Sequence, residues 1–310
     1  YGQTILDIGP KWHKSKEGTP TMGGLMFIFG VIIAVVLTFF IASALTGSDK
    51  LMNQLKDGTN VVRMVSGILL AVGMALIGFI DDYIKVVKKR NLGLRAREKT
   101  FLQLLVAAGY LATLSLTGMA YTKIPFFDPI NINSGLGLLF WPIALFFIYG
   151  FTNAVNLTDG VDGLASSVTL VVALFFMLAS GMLGFYSINV AASALAGGCV
   201  GFLVWNLHPA RVFMGDTGSM FLGGMVVALA FGIERPVLLL FAGVLYFGEA
   251  LSVMLQVAYY KRTKKRIFKM SPIHHHFEMS GWNENKIVIV FSLVAFIGCA
   301  VALLPILMEW

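Results

Sequence analysis

Nine long apolar runs, separated by short polar stretches, make up most of the 310-residue chain. They cover approximately residues 22–45, 61–80, 101–118, 136–152, 166–184, 188–207, 219–232, 237–258 and 287–308. Most approach the roughly 20 residues that a helix needs to cross about 30 Å of hydrocarbon, where backbone polar groups must be satisfied within the segment. The pattern predicts an all-α, polytopic membrane helical bundle with nine spans. The seventh run, interrupted by Gly223, Gly224 and Gly232, carries the least signal, and splitting or merging it would change the topology. The longest loop, 259–286, is too short to hide a soluble domain, and no internal repeat is visible. A single membrane domain over 1–310 is the simplest organisation.

Composition agrees with the pattern. Hydrophobic residues make up 57% of the chain and charged ones 13%, and the mean hydropathy is +0.82, far from the usual range of soluble domains. Charge then orients the spans. With residues 1–21 placed in the cytoplasm, 18 of the 23 Lys and Arg fall on that side, chiefly in 85–99 and 261–269. Lys50, Lys56, Arg63, Lys123 and Arg235 remain on the other, which is the asymmetry of the positive-inside rule. The net charge of +7 therefore reads as topology and attraction to anionic membrane lipids, with no nucleic-acid partner implied. Cys199 and Cys299 fall inside spans at no disulfide or metal spacing and read as free, buried thiols. No cleavable signal peptide is visible, and the polar opening Tyr1 to Thr21 reads as an interior loop rather than a natural start.

The polar interruptions carry the candidate chemistry. By this topology the loops near 1–21, 81–100, 153–165, 208–219 and 259–286 share the cytoplasmic face. Asp81, Asp82, Asp159, Asp162 and Asp216 all stand there, whereas only Glu249 lies deep in a span. Asp159 and Asp216 precede apolar runs and can serve as helix caps. Capping does not explain Asp81-Asp82, which close a span where the helix dipole disfavours negative charge. Nearby Lys85, Lys88 and Lys89, or a Mg²⁺ ion with a phosphate-bearing substrate, can offset that cost. Neighbours on a helix point about 100° apart, so the pair divides its work, one facing a metal and the other taking a proton.

Two glycine-rich turns precede helix starts. Asn153, Asn156, Thr158, Asp159 and Asp162, with Gly160 and Gly163, form one, and Gly215 to Ser219 the other. Free backbone N–H groups at a positive helix end suit a diphosphate, and Asp oxygens suit Mg²⁺. The triplet His274-His275-His276 cannot present one helical face and lacks partners at a zinc-enzyme spacing, so phosphate or sugar contacts are preferred to zinc. Lys16, Lys85 and Lys99 can pair with phosphates or merely set topology. Phe213-Met214 can be a platform for a flat base or an interfacial anchor. Glu249 is either functional or simply hydrogen-bonded inside the bundle.

Taken together, Gly18-Thr-Pro-Thr-Met-Gly-Gly24, Gly78-Phe-Ile-Asp-Asp82, Asn156-Leu-Thr-Asp-Gly-Val-Asp-Gly163, Phe213-Met-Gly-Asp-Thr-Gly-Ser219 and Pro272-Ile-His-His-His-Phe-Glu278 closely resemble the bacterial phospho-N-acetylmuramoyl-pentapeptide transferases. The aspartate motifs are similar to those of all polyprenyl-phosphate N-acetylhexosamine-1-phosphate transferases. The threonine-glycine and triple-histidine motifs point to the muramoyl-pentapeptide branch. The resemblance implies transfer of phospho-MurNAc-pentapeptide from UDP-MurNAc-pentapeptide to undecaprenyl phosphate, giving lipid I and UMP with Mg²⁺ at the cytoplasmic membrane. It implies Mg²⁺ on Asp216, Asp81 as base or acceptor-phosphate partner, and Asp82 assisting. Asn206, Phe213, Met214, Asp159, Asp162 and Lys16 would surround the uridine end, with Thr19, Asn153 and Asn156 in the substrate-binding set. Lys85, Lys99 and the catalytic histidines would lie near the phosphates or the sugar. Ten spans are usual in the family, which implies one more helix ahead of Tyr1, and family precedent implies a homodimer. The rival readings are a related transferase using UDP-GlcNAc and a membrane transporter or flippase, for which Glu249 alone speaks.

Overall fold

The computed structural model describes residues 16, 18–44, 53, 57–87, 93–123, 130–131 and 137–308. Helices α1 (Gly24–Ala44), α2 (Gly58–Val87) and α3 (Ala96–Leu116) come first. A two-residue antiparallel pair follows, β1 (Tyr121–Thr122) with β2 (Ile130–Asn131). Then come α4 (Gly137–Thr158), α5 (Leu164–Met182), α6 (Tyr186–Asn206) and α7 (Gly215–Gly232). A 3-10 turn (Pro236–Leu238) leads into α8 (Leu239–Ala242), α9 (Val244–Thr263), the short α10 (Ile273–Glu278) and α11 (Glu284–Met308). Among the described residues eight helices are long and apolar enough to cross a membrane, and counting the bent α8–α9 unit as one further span makes nine. The all-α expectation therefore holds, apart from the small β-pair among the described residues.

The short seventh run proves to be the centre of the bundle. Every residue of α7 from Thr217 to Gly232 is buried, with α2, α4, α1 and α5 packed around it. Its glycines permit that enclosure: a Cβ on Gly224 would stand 2.7 Å from Ala71 Cα, and one on Gly78 of α2 would strike the Asp216 carbonyl. A helix wrapped in protein needs less apolar surface than one wrapped in lipid, which is why its signal was weak. The outward surface is lipid-like instead, with Phe40 71%, Phe146 71% and Val204 72% exposed.

Two differences from the sequence pattern bear on the site. The span expected as one helix over 237–258 is broken at Gly243, with a bend of 77° between its arms. A Cβ on Gly243 would lie 2.7 Å from the Leu239 carbonyl and 2.8 Å from the Phe151 ring. An apolar run reports total hydrophobicity and is blind to such a break. Second, α2 continues to Val87, so Asp81 and Asp82 lie within its final turns and do not close it.

Ion pairs gather at both ends of the bundle. Near the start of α2, Arg63 Nη2 contacts Glu234 Oε1 at 2.7 Å, and Lys123 Nζ contacts Glu234 Oε2 at 3.1 Å. Asp81 lies eighteen residues further along the same helix, or about 27 Å away at 1.5 Å per residue.

Candidate active site

α2 and α7 create the centre of the site by crossing with no side chain between Gly78 and Asp216. Asp82 then meets the start of α7. It accepts hydrogen bonds from the Asp216 N–H (3.1 Å), the Thr217 N–H (2.9 Å) and the Thr217 hydroxyl (2.7 Å). A carboxylate from one helix thus caps another, and the positive end of α7 offsets the charge that the end of α2 disfavours. Gly215, at φ +70°, lets the chain turn into α7 just before this cap.

Asp216, in the first turn of α7, gathers the remaining groups. Its Oδ2 accepts from Lys85 Nζ and Lys99 Nζ, both at 3.0 Å, and its Oδ1 from Asn156 Nδ2, also at 3.0 Å. Asn156 also donates to the Ser219 hydroxyl at 2.7 Å. Asp81 pairs with Lys85 at 2.5 Å and accepts the Leu94 N–H at 2.7 Å. Asp81, Asp82 and Asp216 each offer an oxygen within 4.8 Å of the others. This all-oxygen donor set suits a hard divalent cation such as Mg²⁺, and Asp216 is its most exposed member.

A second cluster lies beside it. Lys16 Nζ bridges Asp162 Oδ1 and Glu284 Oε2, each at 2.7 Å. Asp162 Oδ2 also accepts the Ala210 N–H at 3.0 Å and faces His208 Nδ1 at 3.0 Å, while the Asp162 N–H donates to Glu284 at 3.1 Å. Burial works to raise the Asp162 pKa, but Lys16, the Ala210 amide and His208 hold it below the ordinary carboxylate value. Asp159, three residues earlier, has no such cation among the described residues. Burial first, then the charges of Asp216, Asp82 and Asp162, push its carboxyl up to about 8.

Several expected site residues make structural contacts. Met214 is fully buried, packed under Gly218, so of the proposed platform only Phe213 retains exposed surface. Asn206 is buried: it accepts the Gly163 N–H at 3.1 Å and donates to the Val212 carbonyl at 2.9 Å, tying together the turns before α5 and α7. Asn153 exchanges amide hydrogen bonds with Gln103 at 3.1 and 3.3 Å, bracing α4 against α3. Thr19 is half-buried in a turn whose N–H reaches the Lys16 carbonyl at 3.2 Å. The histidines diverge as their spacing predicts. His274 is buried against Glu249 (3.0 Å), His275 contacts Glu278 (2.5 Å), and His276 Nδ1 accepts the Lys269 N–H (3.1 Å). Glu249 is thus engaged inside the bundle, which removes the main support for a transporter.

Sequence reasoning missed Glu284, His208 and Gln256, and gave Thr217 no role of its own within the Gly215–Ser219 turn. Glu284 opens the last span on the same face as Lys16, a signal that was available. Gln256 accepts the Ile267 and Phe268 N–H groups, both at 3.0 Å, and so folds the basic loop after α9 back onto its helix.

Comparison with known proteins decides the kinship. The family described as glycosyl transferase family 4 matches residues 64–233, and the phospho-N-acetylmuramoyl-pentapeptide-transferase signature 1 matches residues 16–28. The phospho-N-acetylmuramoyl-pentapeptide-transferase of Acetivibrio thermocellus is 45% identical over 300 residues, covering 96% of this chain and 85% of the relative. The chain belongs to the phospho-N-acetylmuramoyl-pentapeptide-transferase family. Similarly named proteins of Clostridioides difficile (43% over 310 residues; 99% and 89% covered) and Carboxydothermus hydrogenoformans (44% over 303; 96% and 87%) bear the same likeness. The signature segment coincides with the strap that carries Lys16 and lays Gly23 and Gly24 against Phe213 and Met214, through N–H···O bonds of 2.9 and 3.1 Å.

Proposed function

We propose that the chain transfers phospho-MurNAc-pentapeptide from its UDP carrier to undecaprenyl phosphate, releasing UMP and forming lipid I. An oxygen of the acceptor phosphate attacks the sugar-bearing phosphorus of the donor. The bond from that phosphorus to the bridging oxygen breaks, and UMP departs with the oxygen and its electron pair. The observation carrying this reading is the convergence of Asp81, Asp82 and Asp216 with Lys85 and Lys99 at one rim of a membrane bundle.

Phosphoryl transfer asks a protein mainly for positioning and charge neutralisation. Lys85 and Lys99 bring two positive charges to the Asp216 carboxylate, where the diphosphate needs them. Asp216, with Asp81 beside it, would hold Mg²⁺, which when bound supplies charge neutralisation at the phosphates. Asp81 borders the acceptor and takes its proton if the phosphate arrives protonated. Asp82 holds the helix end that presents Asp216. Asp159, Asp162, Phe213 and the Lys16 strap line the donor side, with His275 toward its sugar.

The site faces the cytoplasm, where the basic loops lie, and the membrane is the bacterial cytoplasmic one. The protein pairs as a homodimer, a point that light scattering of the purified protein tests. The reaction itself is tested by UMP release from purified protein with undecaprenyl phosphate and either UDP-MurNAc-pentapeptide or UDP-GlcNAc, with and without Mg²⁺. Release with the muramoyl donor alone, lost on chelation, is the expected result. Release with UDP-GlcNAc would move the chain to a sister branch, and release untouched by chelation would remove the metal.

A further inference from the structure

Glu249 is a fully buried acid in α9, and among the described residues its carboxylate meets one cationic or ring-nitrogen partner, His274 Nδ1 at 3.0 Å. His274 is itself without exposed surface. Among the described residues its other nitrogen, Nε2, has no hydrogen-bond partner, nor does Glu249 Oε1. That nitrogen is aimed at Gly160, in the turn between α4 and α5, where a Cβ would collide with it. His274 is therefore closed off from a substrate at the rim, unlike the partly exposed His275.

A buried carboxylate facing one imidazole nitrogen fixes that nitrogen as a donor and sets the plane of the ring. Here the fixed ring wedges against the backbone of the turn that holds Asp159 and Asp162 and begins just after Asn156, the residue bonded to Asp216. An apolar side chain in place of Glu249 would leave the ring free to rotate, and an unpaired carboxylate in this interior would be strongly disfavoured. The two residues are thus needed together.

We infer that Glu249 is a positioning residue for the transfer reaction: through His274 it presses the Asp159–Gly163 turn into register with Asp216, tying the bent α8–α9 span to the site. His274 acts as the spacer of this relay and touches no substrate.

The inference rests on the transferase reading, which wild-type UMP release establishes independently before any variant is measured. Full-length Glu249→Leu, His274→Gln and the double variant Glu249→Leu/His274→Gln are then compared in nanodiscs for kcat, KM and thermal unfolding. Each single variant is expected to lose about tenfold or more in kcat/KM, the usual scale for removing a group that orients a site residue. The double variant should lose no more than either single one. Glu249→Leu/His274→Leu removes both partners at once and keeps the test available if the single variants do not fold. It should unfold near the wild-type temperature yet show the same reduced kcat/KM. Wild-type kcat/KM in Glu249→Leu or in the double leucine variant would overturn the inference, as would losses that multiply in the Glu249→Leu/His274→Gln variant.

Discussion

Asp216 holds two lysines on one carboxylate oxygen and Asn156 on the other, so its side chain is engaged in polar contacts, two of them with cations. Asp216→Asn keeps the shape and removes the charge. It should lower UMP release by at least about a hundredfold, while far-UV circular dichroism stays unchanged. Activity within a few fold of wild type would dismiss Asp216 as the metal ligand. Asp159 yields a pH prediction. Its folded-state pKa, about 8, lies above the roughly 3.9 of an unfolded Asp. The folded state therefore binds the proton more tightly, and the stabilisation from this group, complete below about pH 4, is lost as pH rises toward 8. Asp159→Asn has no proton to lose, so substrate-free variant protein should gain on wild type in melting temperature between pH 5 and 8. Parallel curves would contradict the assignment. Asp162, held low by Lys16, contributes in the opposite sense, with stability lost on acidification.

Between helices, the governing contact is the cap that Asp82 places on α7 from α2. Asp82→Ala should cost about 1–2 kcal/mol, the range for a lost N-cap, and hydrogen exchange should quicken at the Asp216 and Thr217 amides. Unchanged exchange there would show that α7 starts without help. This cap also marks the limit of what the sequence could convey. The Asp81-Asp82 pair and the Gly215 turn were legible as polar islands, and the dipole argument showed that something must compensate the pair. That the compensation is the start of α7, 134 residues away, is a fact of packing that no local pattern encodes. The bend at Gly243 was hidden for a related reason, because both arms are apolar and their sum resembles one straight helix. His274 and Glu249 were each noticed, but nothing in their spacing joined them.

Across the molecule, the order of the spans and the shared face of the five polar islands were legible, because hydropathy and charge report on solvent directly. The closure of that face depends on Lys16, which connects the start of the described chain to Asp162 and to Glu284 at the head of α11. Lys16→Met should leave two carboxylates facing one another with little exposure and destabilise the fold by roughly 3 kcal/mol. Differential scanning calorimetry in detergent would measure the loss, and Lys16→Arg should recover part of it. A variant as stable as wild type would mean that the strap docks through its backbone contacts with Phe213 and Met214 alone.

The enclosure of α7 has a mechanical consequence. A helix of 18 residues is about 27 Å long, a little short of the hydrocarbon it stands within, yet the ring of neighbouring helices keeps acyl chains away from it. The shaft bearing Asp216 therefore touches protein along its buried length, gripped by α2 at Gly78 and Gly224, and the bilayer can load it only through those neighbours.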